Sequence, residues 1–180
     1  VAIADYVLSK TPGNTVSNMS SSRALRDITN KHSGKYEASA VGEVNVVELM
    51  KKTNSIIGGE GNGGIIYPEL HYGRDSLVGV ALFLTHLANK KMTVSALRAS
   101  YPGYYMSKNK IELTPQIDVD AILVAMTDKY KNEDITTIDG VKIDFATEWV
   151  HLRKSNTEPI IRIYTEAPSQ KEADVLALRI

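Results

Sequence analysis

The feature that most constrains the fold is the alternation of strand-like and helix-like segments along the first hundred residues. Residues 36–41 alternate as a strand does, and residues 43–52 carry an apolar stripe at helical spacing. Residues 55–57 form another apolar strand-like segment, and Asp75 precedes a long helical pattern. Strands that alternate with helices are typical of layered α/β domains. We therefore expect an α/β/α layered domain with a mixed sheet over residues 1–101.

The pattern breaks at Tyr101-Pro-Gly-Tyr-Tyr105. Proline and glycine clusters of this kind mark turns and loops, so residues 102–114 are expected to form a hinge or linker between two domains. Beyond it, residues 115–180 contain helical patterns and a predicted hairpin over residues 136–143, in which Asp139-Gly140 suits a tight type I′ turn. This second part is expected to be a small α+β domain with an antiparallel sheet.

Charge and composition argue against several classes of function. The 21 basic residues equal the 21 acidic ones, so no net field attracts nucleic acid or an anionic membrane, and neither partner is expected. The chain has no cysteine, which excludes disulfides and a cysteine nucleophile and is compatible with the cytoplasm, the location we expect. No apolar run approaches the roughly 20 residues that a membrane-spanning helix needs.

A polar loop follows a predicted strand near the end of the chain, with the sequence Arg153-Lys-Ser-Asn-Thr-Glu-Pro159. A guanidinium, two hydroxyls, an amide and several backbone N–H groups within a few residues suit a phosphate. Composition alone nevertheless favours an ordinary solvated turn, because Ser, Asn, Thr and Pro are common turn formers. Residues 153–159 are called the polar loop below.

Residues 58–64 form a second unusual segment, here called the glycine loop, with the sequence Gly-Gly-Glu-Gly-Asn-Gly-Gly. Its spaced glycines fit the dinucleotide-binding pattern, but that pattern requires a helix directly after the loop. Here the apolar, proline-stopped residues 65–68 follow instead, and no Gly-Lys-Ser/Thr ending is present. The loop is therefore predicted to bind neither a dinucleotide nor a nucleoside triphosphate.

Both loops resemble those of the alpha-D-phosphohexomutases, the family of phosphoglucomutase, phosphomannomutase and phosphoglucosamine mutase. The polar loop resembles the phosphate-binding loop of the last domain, Arg-x-Ser-Gly/Asn-Thr-Glu-Pro. The glycine loop resembles the sugar-recognition loop of the third domain, Gly-Glu-x-Ser/Asn-Gly. Val41-Gly42-Glu43 and Gly73-Arg74-Asp75 resemble further turns of that domain. The whole chain is thus similar to domains three and four of a four-domain enzyme.

The resemblance implies an intramolecular phosphotransferase that interconverts hexose 1-phosphate and 6-phosphate through a phosphoserine and an activating hexose bisphosphate. The family's serine loop and its Mg²⁺-binding Asp-Gly-Asp-x-Asp-Arg loop do not occur here. The resemblance therefore implies N-terminal domains one and two as partners, Mg²⁺ bound outside this chain, and no catalytic or metal-binding residue within it. The residues implied to bind the hexose phosphate are Glu60, Asn62, Gly63, Arg153, Ser155, Asn156, Thr157 and Arg162.

The sequence departs from the family pattern at two places, so the preferred sugar (glucose, mannose or glucosamine phosphate) stays open. Gly64 stands where many members have histidine, and Val44-Asn45 stand where many have a basic residue. The helical pattern at the very start, residues 1–8, favours a fragment that is inactive alone. The alternative is a stand-alone, non-catalytic module that binds sugar phosphates.

The remaining polar residues are expected to be structural. Asp118 and Asp120 lie where a helix begins and suit its N-terminal dipole better than a metal ion. The histidines show no metal-ligand spacing, although His71 and His151 lie near the two loops and are weaker site candidates. Trp149 is expected in the core.

Overall fold

The computed structural model describes residues 1–114, 116–155 and 157–180. The chain divides into two compact units, Val1–Gly103 and Tyr104–Ile180. Each unit has its own five-stranded sheet.

The first unit alternates helices and strands. In chain order its elements are α1 (Ala2–Lys10), β1 (Thr15–Asn18), α2 (Ala24–Lys31), β2 (Tyr36–Ser39), α3 (Glu43–Thr53), β3 (Ile57–Gly59), β4 (Ile65–Tyr67), β5 (His71–Arg74), α4 (Ser76–Lys90) and α5 (Val94–Ala99). The strand order across the sheet is β2-β1-β3-β4-β5. Strand β1 is parallel to both of its neighbours, whereas β4 is antiparallel to β3 and to β5. The sheet is therefore mixed, as predicted.

Helices cover both faces of this sheet. Leu8 of α1 and Ile57 of β3 belong to one buried cluster, and Val16 of β1 and Met50 of α3 belong to another. Val16 lies opposite Gly58, the neighbour of Ile57, and successive residues of a strand point to opposite faces. Helix α3 therefore lies on the face opposite α1, which gives the α/β/α layering that the alternating pattern predicts.

The second unit contains an antiparallel sheet. Its elements are β6 (Tyr105–Glu112), α6 (Val119–Lys129), β7 (Asp134–Thr136), β8 (Val141–Asp144), β9 (Trp149–Lys154), β10 (Ile160–Ala167) and α7 (Gln170–Arg179). The strand order is β6-β10-β9-β8-β7, and all these pairs are antiparallel. The predicted fold class is confirmed for both units.

One face of the second sheet packs on α6 and α7. Met126 of α6 joins Leu152 of β9 and Ile161 of β10 in a single buried cluster. Because side chains alternate along a strand, Arg153 and Arg162 project from the opposite face. Burial of the apolar face thus determines where the two arginines of the predicted phosphate site lie.

The β7–β8 connection is not the two-residue type I′ turn predicted from Asp139-Gly140. Thr136 pairs with Lys142, so the connection is longer than two residues. Gly140 has a φ of 71°, whereas Asp139 does not have the positive φ that a type I′ turn also requires there. The difference has a tertiary cause, because His151 of β9 lies 2.7 Å from the carbonyl oxygen of Asp139 and holds the loop over the sheet.

The stretch 102–114, expected as a linker, contains strand β6. This strand pairs with β10 from Tyr105 to Glu112. It lies at the edge of the sheet and is mostly exposed, with Lys108 and Lys110 among its residues. Charged side chains are common on edge strands because they oppose edge-to-edge aggregation, and here they obscure the apolar alternation that would reveal a strand.

Several single-residue predictions are confirmed. Trp149 is fully buried, and its Nε1 donates a hydrogen bond of 2.8 Å to Glu166. The Asp118 carboxylate accepts a hydrogen bond from the Ala121 amide at the start of α6. Asp75 caps α4 in the same way. These aspartates therefore have structural roles.

Candidate functional site

The glycine loop joins β3 to β4 as a tight hairpin. The Glu60 amide donates to the carbonyl oxygen of Gly64 at 2.9 Å, and the Gly63 amide donates to the carbonyl oxygen of Glu60 at 3.1 Å. Gly63 has a φ of 93°, a value that side chains with a Cβ rarely adopt. Strand β4 follows the loop directly, so the helix that a dinucleotide site needs does not follow.

Glu60 is the most firmly held side chain of this loop. Its side chain is only 7% exposed. One carboxylate oxygen accepts a hydrogen bond of 3.0 Å from the Asn18 amide nitrogen, and the other lies 3.4 Å from Nη1 of Arg74. The position of the carboxylate is thus determined by β1 on one side and β5 on the other.

The two residues that hold Glu60 are themselves held. The Asn18 side-chain oxygen accepts hydrogen bonds from the Ser21 hydroxyl at 2.9 Å and the Ser20 amide at 3.1 Å. Arg74 donates through Nε to one carboxylate oxygen of Glu43 at 2.8 Å and through its backbone N–H to the other at 2.9 Å. The result is a continuous polar network from Asn18 through Glu60 and Arg74 to Glu43.

Asn62 is exposed at the tip of the glycine loop. Its side-chain oxygen accepts a hydrogen bond of 3.1 Å from the Gly64 amide, which fixes the side-chain orientation. Its amide nitrogen has no hydrogen-bond partner among residues 1–114, 116–155 and 157–180 and is available as a donor. Glu60 and Asn62 therefore offer an acceptor and a donor from one hairpin.

A cavity of about 410 Å³ opens beside the glycine loop. It is lined by the first residues of the chain, by Ser17 and Ser21, by Phe83 and by the loop itself, including Glu60. The loop follows β3 and Ser21 lies shortly after β1, so the cavity lies at the carboxyl ends of two parallel strands. Ligands of α/β proteins commonly bind at this edge of the sheet.

The polar loop joins β9 to β10, and Asn156 lies outside the described residues. Ser155 is buried, and its backbone N–H donates to the carbonyl oxygen of Ile160 at 3.0 Å. The Ser155 hydroxyl oxygen accepts a hydrogen bond of 3.4 Å from the Thr157 amide and lies 3.5 Å from the Thr157 hydroxyl. The two predicted hydroxyl ligands are therefore adjacent.

Arg153 and Arg162 lie directly opposite each other on β9 and β10. Arg162 donates through Nη2 to Glu158 at 2.6 Å. The Nε atom of Arg153 is buried and has no hydrogen-bond partner in the parts of the chain that the structure describes. On the other side of Arg162, Lys110 of β6 occupies the same row. This row of three cations beside two hydroxyls can bind an anion.

The two histidines near the loops each contact a neighbouring polar group. His151 is buried, and burial lowers its pKa to about 4. Its Nε2 donates to the Asp139 carbonyl, which can only accept, so the neutral ring carries its proton on Nε2. His71 lies 3.1 Å from the Asp75 carboxylate at the start of α4. Both side chains therefore have structural partners.

Three residues of the Glu60 network were not predicted from the sequence, namely Asn18, Glu43 and Arg74. Glu43 and Arg74 lie in segments that resemble turns of the family's third domain, but nothing in the sequence indicated that the two side chains contact each other. Asn18 had a detectable signal, since it ends a strand that could be expected beside β3 in a parallel sheet. Parallel neighbours place their carboxyl ends together.

None of the helices in the described residues is long and apolar enough to cross a membrane. In the same residues, no group of three or more His, Asp or Glu side chains could hold a metal ion.

Comparison with known proteins identifies the family. The model of the phosphoglucomutase/phosphomannomutase alpha/beta/alpha domain III matches residues 1–104, and that of the C-terminal domain of the same family matches residues 110–180. The phosphoglucosamine/phosphogalactosamine mutase of Sulfurisphaera tokodaii is 36% identical over 89% of this chain and 36% of its own length. The phosphoglucomutase/phosphomannomutase of Thermococcus kodakarensis is 36% identical over 95% of this chain and 38% of its own length.

A solved structure shows the same fold. The crystal structure of a phosphoglucomutase/phosphomannomutase family protein from Burkholderia thailandensis matches with a TM-score of 0.76 and 22% identity, over 98% of this chain and 39% of that one. The chain thus spans well under half the length of these relatives. It belongs to the phosphoglucomutase/phosphomannomutase family and corresponds to its domain III and C-terminal domain.

Proposed function

We propose that this chain is the part of a phosphohexomutase that binds the sugar and the non-reacting phosphate of a hexose phosphate. The observation that carries the proposal is the direct pairing of Arg153 with Arg162 beside the Ser155 and Thr157 hydroxyls. Two guanidinium groups in one cross-strand pair repel each other unless an anion lies between them. An arginine fork matches phosphate oxygens, and adjacent hydroxyls can complete the coordination.

The phosphate site has a defined division of roles. Arg153, with its buried and unpaired Nε, supplies donors that no described protein group uses. Ser155 and Thr157 supply hydroxyls, and Arg162 supplies a second guanidinium in the same row. Asn156, outside the described residues, stays a predicted fifth ligand.

At the sugar site, Glu60 accepts a hydrogen bond from one hydroxyl and Asn62 donates to a neighbouring one. The Glu60 carboxylate is positioned before any ligand arrives, because Asn18 and Arg74 hold both of its oxygens. A preorganised acceptor loses little conformational entropy on binding. Gly63 keeps the loop backbone free of side-chain bulk at its tip.

In the longer enzyme, this binding would contribute to catalysis by positioning. The reaction that we propose for it interconverts hexose 1-phosphate and 6-phosphate through a phosphoserine and a hexose bisphosphate. Contacts to the distant phosphate and the sugar accelerate the chemical step only if they orient the reacting phosphate. Mg²⁺ would stabilise the transferring phosphoryl group. From the resemblance to the family, we propose that a part of the longer enzyme outside this chain holds the metal.

The test is an NMR titration of the chain with glucose, mannose and glucosamine phosphates, with inorganic phosphate as the comparison ligand. We expect inorganic phosphate to shift the amide signals of residues 153–157, and hexose phosphates to shift those of Glu60 and Asn62 as well. An exchange of Arg153 for Gln should abolish the first response. The matched control is Lys154→Gln, which removes a neighbouring charge from an exposed residue on the other face of β9.

Two outcomes would contradict the proposal. One is the absence of any shift in residues 153–157 at millimolar phosphate. The other is an equal loss of response in Lys154→Gln and Arg153→Gln, which would indicate attraction to general positive charge rather than a site.

A further inference from the structure

Gly64, the last residue of the glycine loop, is a glycine for a steric reason. The loop glycines with a positive φ are Gly59 and Gly63, so the backbone conformation at Gly64 does not require glycine. A Cβ added at Gly64 would lie only 2.6 Å from Cδ of Arg74 and 3.1 Å from its Cγ. The Arg74 side chain therefore occupies the space that any side chain at position 64 would need.

Arg74 is held in this space from two directions. Glu43, the first residue of α3, accepts hydrogen bonds from both the backbone and the Nε of Arg74 at 2.9 and 2.8 Å. The Glu60 carboxylate lies 3.4 Å from Nη1 of the same guanidinium. These contacts place a fixed positive charge at the edge of the glycine loop, close to the acceptor that we assign to the sugar.

The guanidinium has unused hydrogen-bonding capacity. Of its five N–H donors, the Nε donor is used by Glu43 and one Nη1 donor by Glu60. The Nη2 donors have no partner among residues 1–114, 116–155 and 157–180, and the side chain is 46% exposed. The Glu60 oxygens also keep lone pairs beyond those used by Asn18 and Arg74. Donors and an acceptor thus lie side by side at the loop.

We propose that Arg74 is an additional sugar-binding residue, which uses the space left by Gly64 to orient Glu60 and to donate hydrogen bonds to an adjacent sugar oxygen. This inference rests on the proposed function of the glycine loop. The ligand feature that it recognises is a pair of neighbouring hydroxyl groups on the sugar ring, one of which donates to Glu60 while the oxygen of the other accepts from Arg74. Many members of the family have histidine where this chain has Gly64. Arg74 thereby supplies a cation at this loop.

The structural part of the proposal is tested by Gly64→Ala, with Gly61→Ala as the matched control in the same loop. Apart from its chain neighbours, the atom nearest to a Cβ at Gly61 would be the Ser21 Oγ at 3.4 Å, an ordinary contact. The readout is the NMR signal of the Arg74 Nε–H group, which is expected to be sharp and protected while Glu43 accepts from it. Gly64→Ala should broaden or shift this signal, whereas Gly61→Ala should preserve it. An unchanged signal in Gly64→Ala would overturn the steric coupling.

The binding part is tested by titrating mannose 1-phosphate into Arg74→Gln and Arg74→Lys. Arg74→Gln loses a charged hydrogen-bond donor. The affinity for mannose 1-phosphate, measured from the shifts of the Glu60 and Asn18 signals, is therefore expected to fall about 10-fold. Arg74→Lys should recover part of this loss because it keeps the charge, which a purely structural role would not explain. The inorganic phosphate response of residues 153–157 should be the same in all three proteins.

The outcomes separate this inference from the proposed function. If the wild-type glycine loop responds to the sugar phosphate and Arg74→Gln responds equally, only the role of Arg74 is wrong. If the wild-type loop responds to none of the glucose, mannose and glucosamine phosphates, the assignment of the glycine loop as a sugar site is wrong, and the role of Arg74 is wrong with it.

Discussion

Arg153 on β9 lies directly opposite Arg162 on β10, so two guanidinium groups share one row of side chains. Like charges that face each other across strands destabilise a sheet. Glu158, at 2.6 Å from Arg162, offsets one of the two charges. A bound phosphate dianion would offset the remainder. This relationship predicts that substitution of Arg153 changes the phosphate affinity and the stability of the free protein in opposite directions.

Arg153→Gln should weaken phosphate binding and slightly stabilise the free protein. Loss of a charged donor to phosphate should lower the affinity about 10- to 100-fold. Removal of the cross-strand repulsion should raise the free energy of unfolding by about 0.2–1 kcal/mol. Phosphate titration and urea denaturation without phosphate measure the two effects. A protein that is both weaker in binding and less stable would show that Arg153 is a structural residue.

Glu158→Gln should strengthen phosphate binding about two- to five-fold, because an exposed carboxylate would no longer compete for Arg162. The control is Glu133→Gln, which removes the same charge from an exposed residue directly before β7, at the edge of the sheet opposite β6. Isothermal calorimetry with inorganic phosphate is the measurement. A decrease in affinity would mean that Glu158 orients Arg162 for the ligand.

The second unit should lose stability as the pH falls from about 6.5 to 4. Burial lowers the pKa of His151 to about 4, while the unfolded chain has an ordinary histidine pKa near 6.5. In this window the unfolded chain binds a proton that the folded unit does not bind. The free energy of unfolding is therefore lower at pH 4 than at pH 7, by on the order of 3 kcal/mol.

The decrease can be followed through Trp149, the single tryptophan, which is buried in the same unit. Urea denaturation at pH 7 and pH 4.5 should show that the free energy of unfolding depends less on pH in His151→Gln than in the wild type. His71→Gln, at an exposed residue of the first unit, is the control and should behave as the wild type does. An unchanged pH dependence in His151→Gln would assign the effect to other groups.

Arg74→Gln should raise the pKa of the Glu43 carboxyl towards its ordinary value. Hydrogen bonds from the Arg74 backbone N–H and side chain, together with the guanidinium charge, hold this pKa below its usual range. The backbone donor is the largest contribution and survives the substitution, so the recovery should be partial. A ¹³C NMR titration of Glu43 measures it, with Lys110→Gln as the control in the second unit. No change in Arg74→Gln would mean that the side-chain contact is not formed in solution.

The sequence was sufficient to predict most of the helices and strands and the position of both loops. Each loop follows a strand directly, and its residues are neighbours in the chain, so their proximity does not depend on the rest of the fold. The predicted roles of Asn62, Gly63, Ser155 and Thr157 depend on this local order and stay predictions until ligands are tested. Where the local pattern was weak, as along the charged edge strand β6, the secondary structure was not recognised.

Contacts between distant segments could not be predicted. The hydrogen bond from Asn18 to Glu60 joins residues 42 positions apart, and the pairing of Arg74 with Glu43 joins residues 31 positions apart. Neither residue type nor spacing signals these contacts, because they arise when β1, β3 and β5 assemble in one sheet and α3 packs against it. The β7–β8 turn was predicted wrongly for a similar reason, since His151 holds Asp139 from another strand.

The sequence by itself determined the class of each domain and the positions of the two loops, because periodic burial and local turn residues are encoded over a few neighbouring positions. Only the tertiary structure decided that Arg153 faces Arg162, that Arg74 occupies the space beside Gly64, and that Glu60 is held on both sides. Strand order and register depend on how apolar faces pack together over the whole domain, and a one-residue shift in register would reverse the face of every side chain.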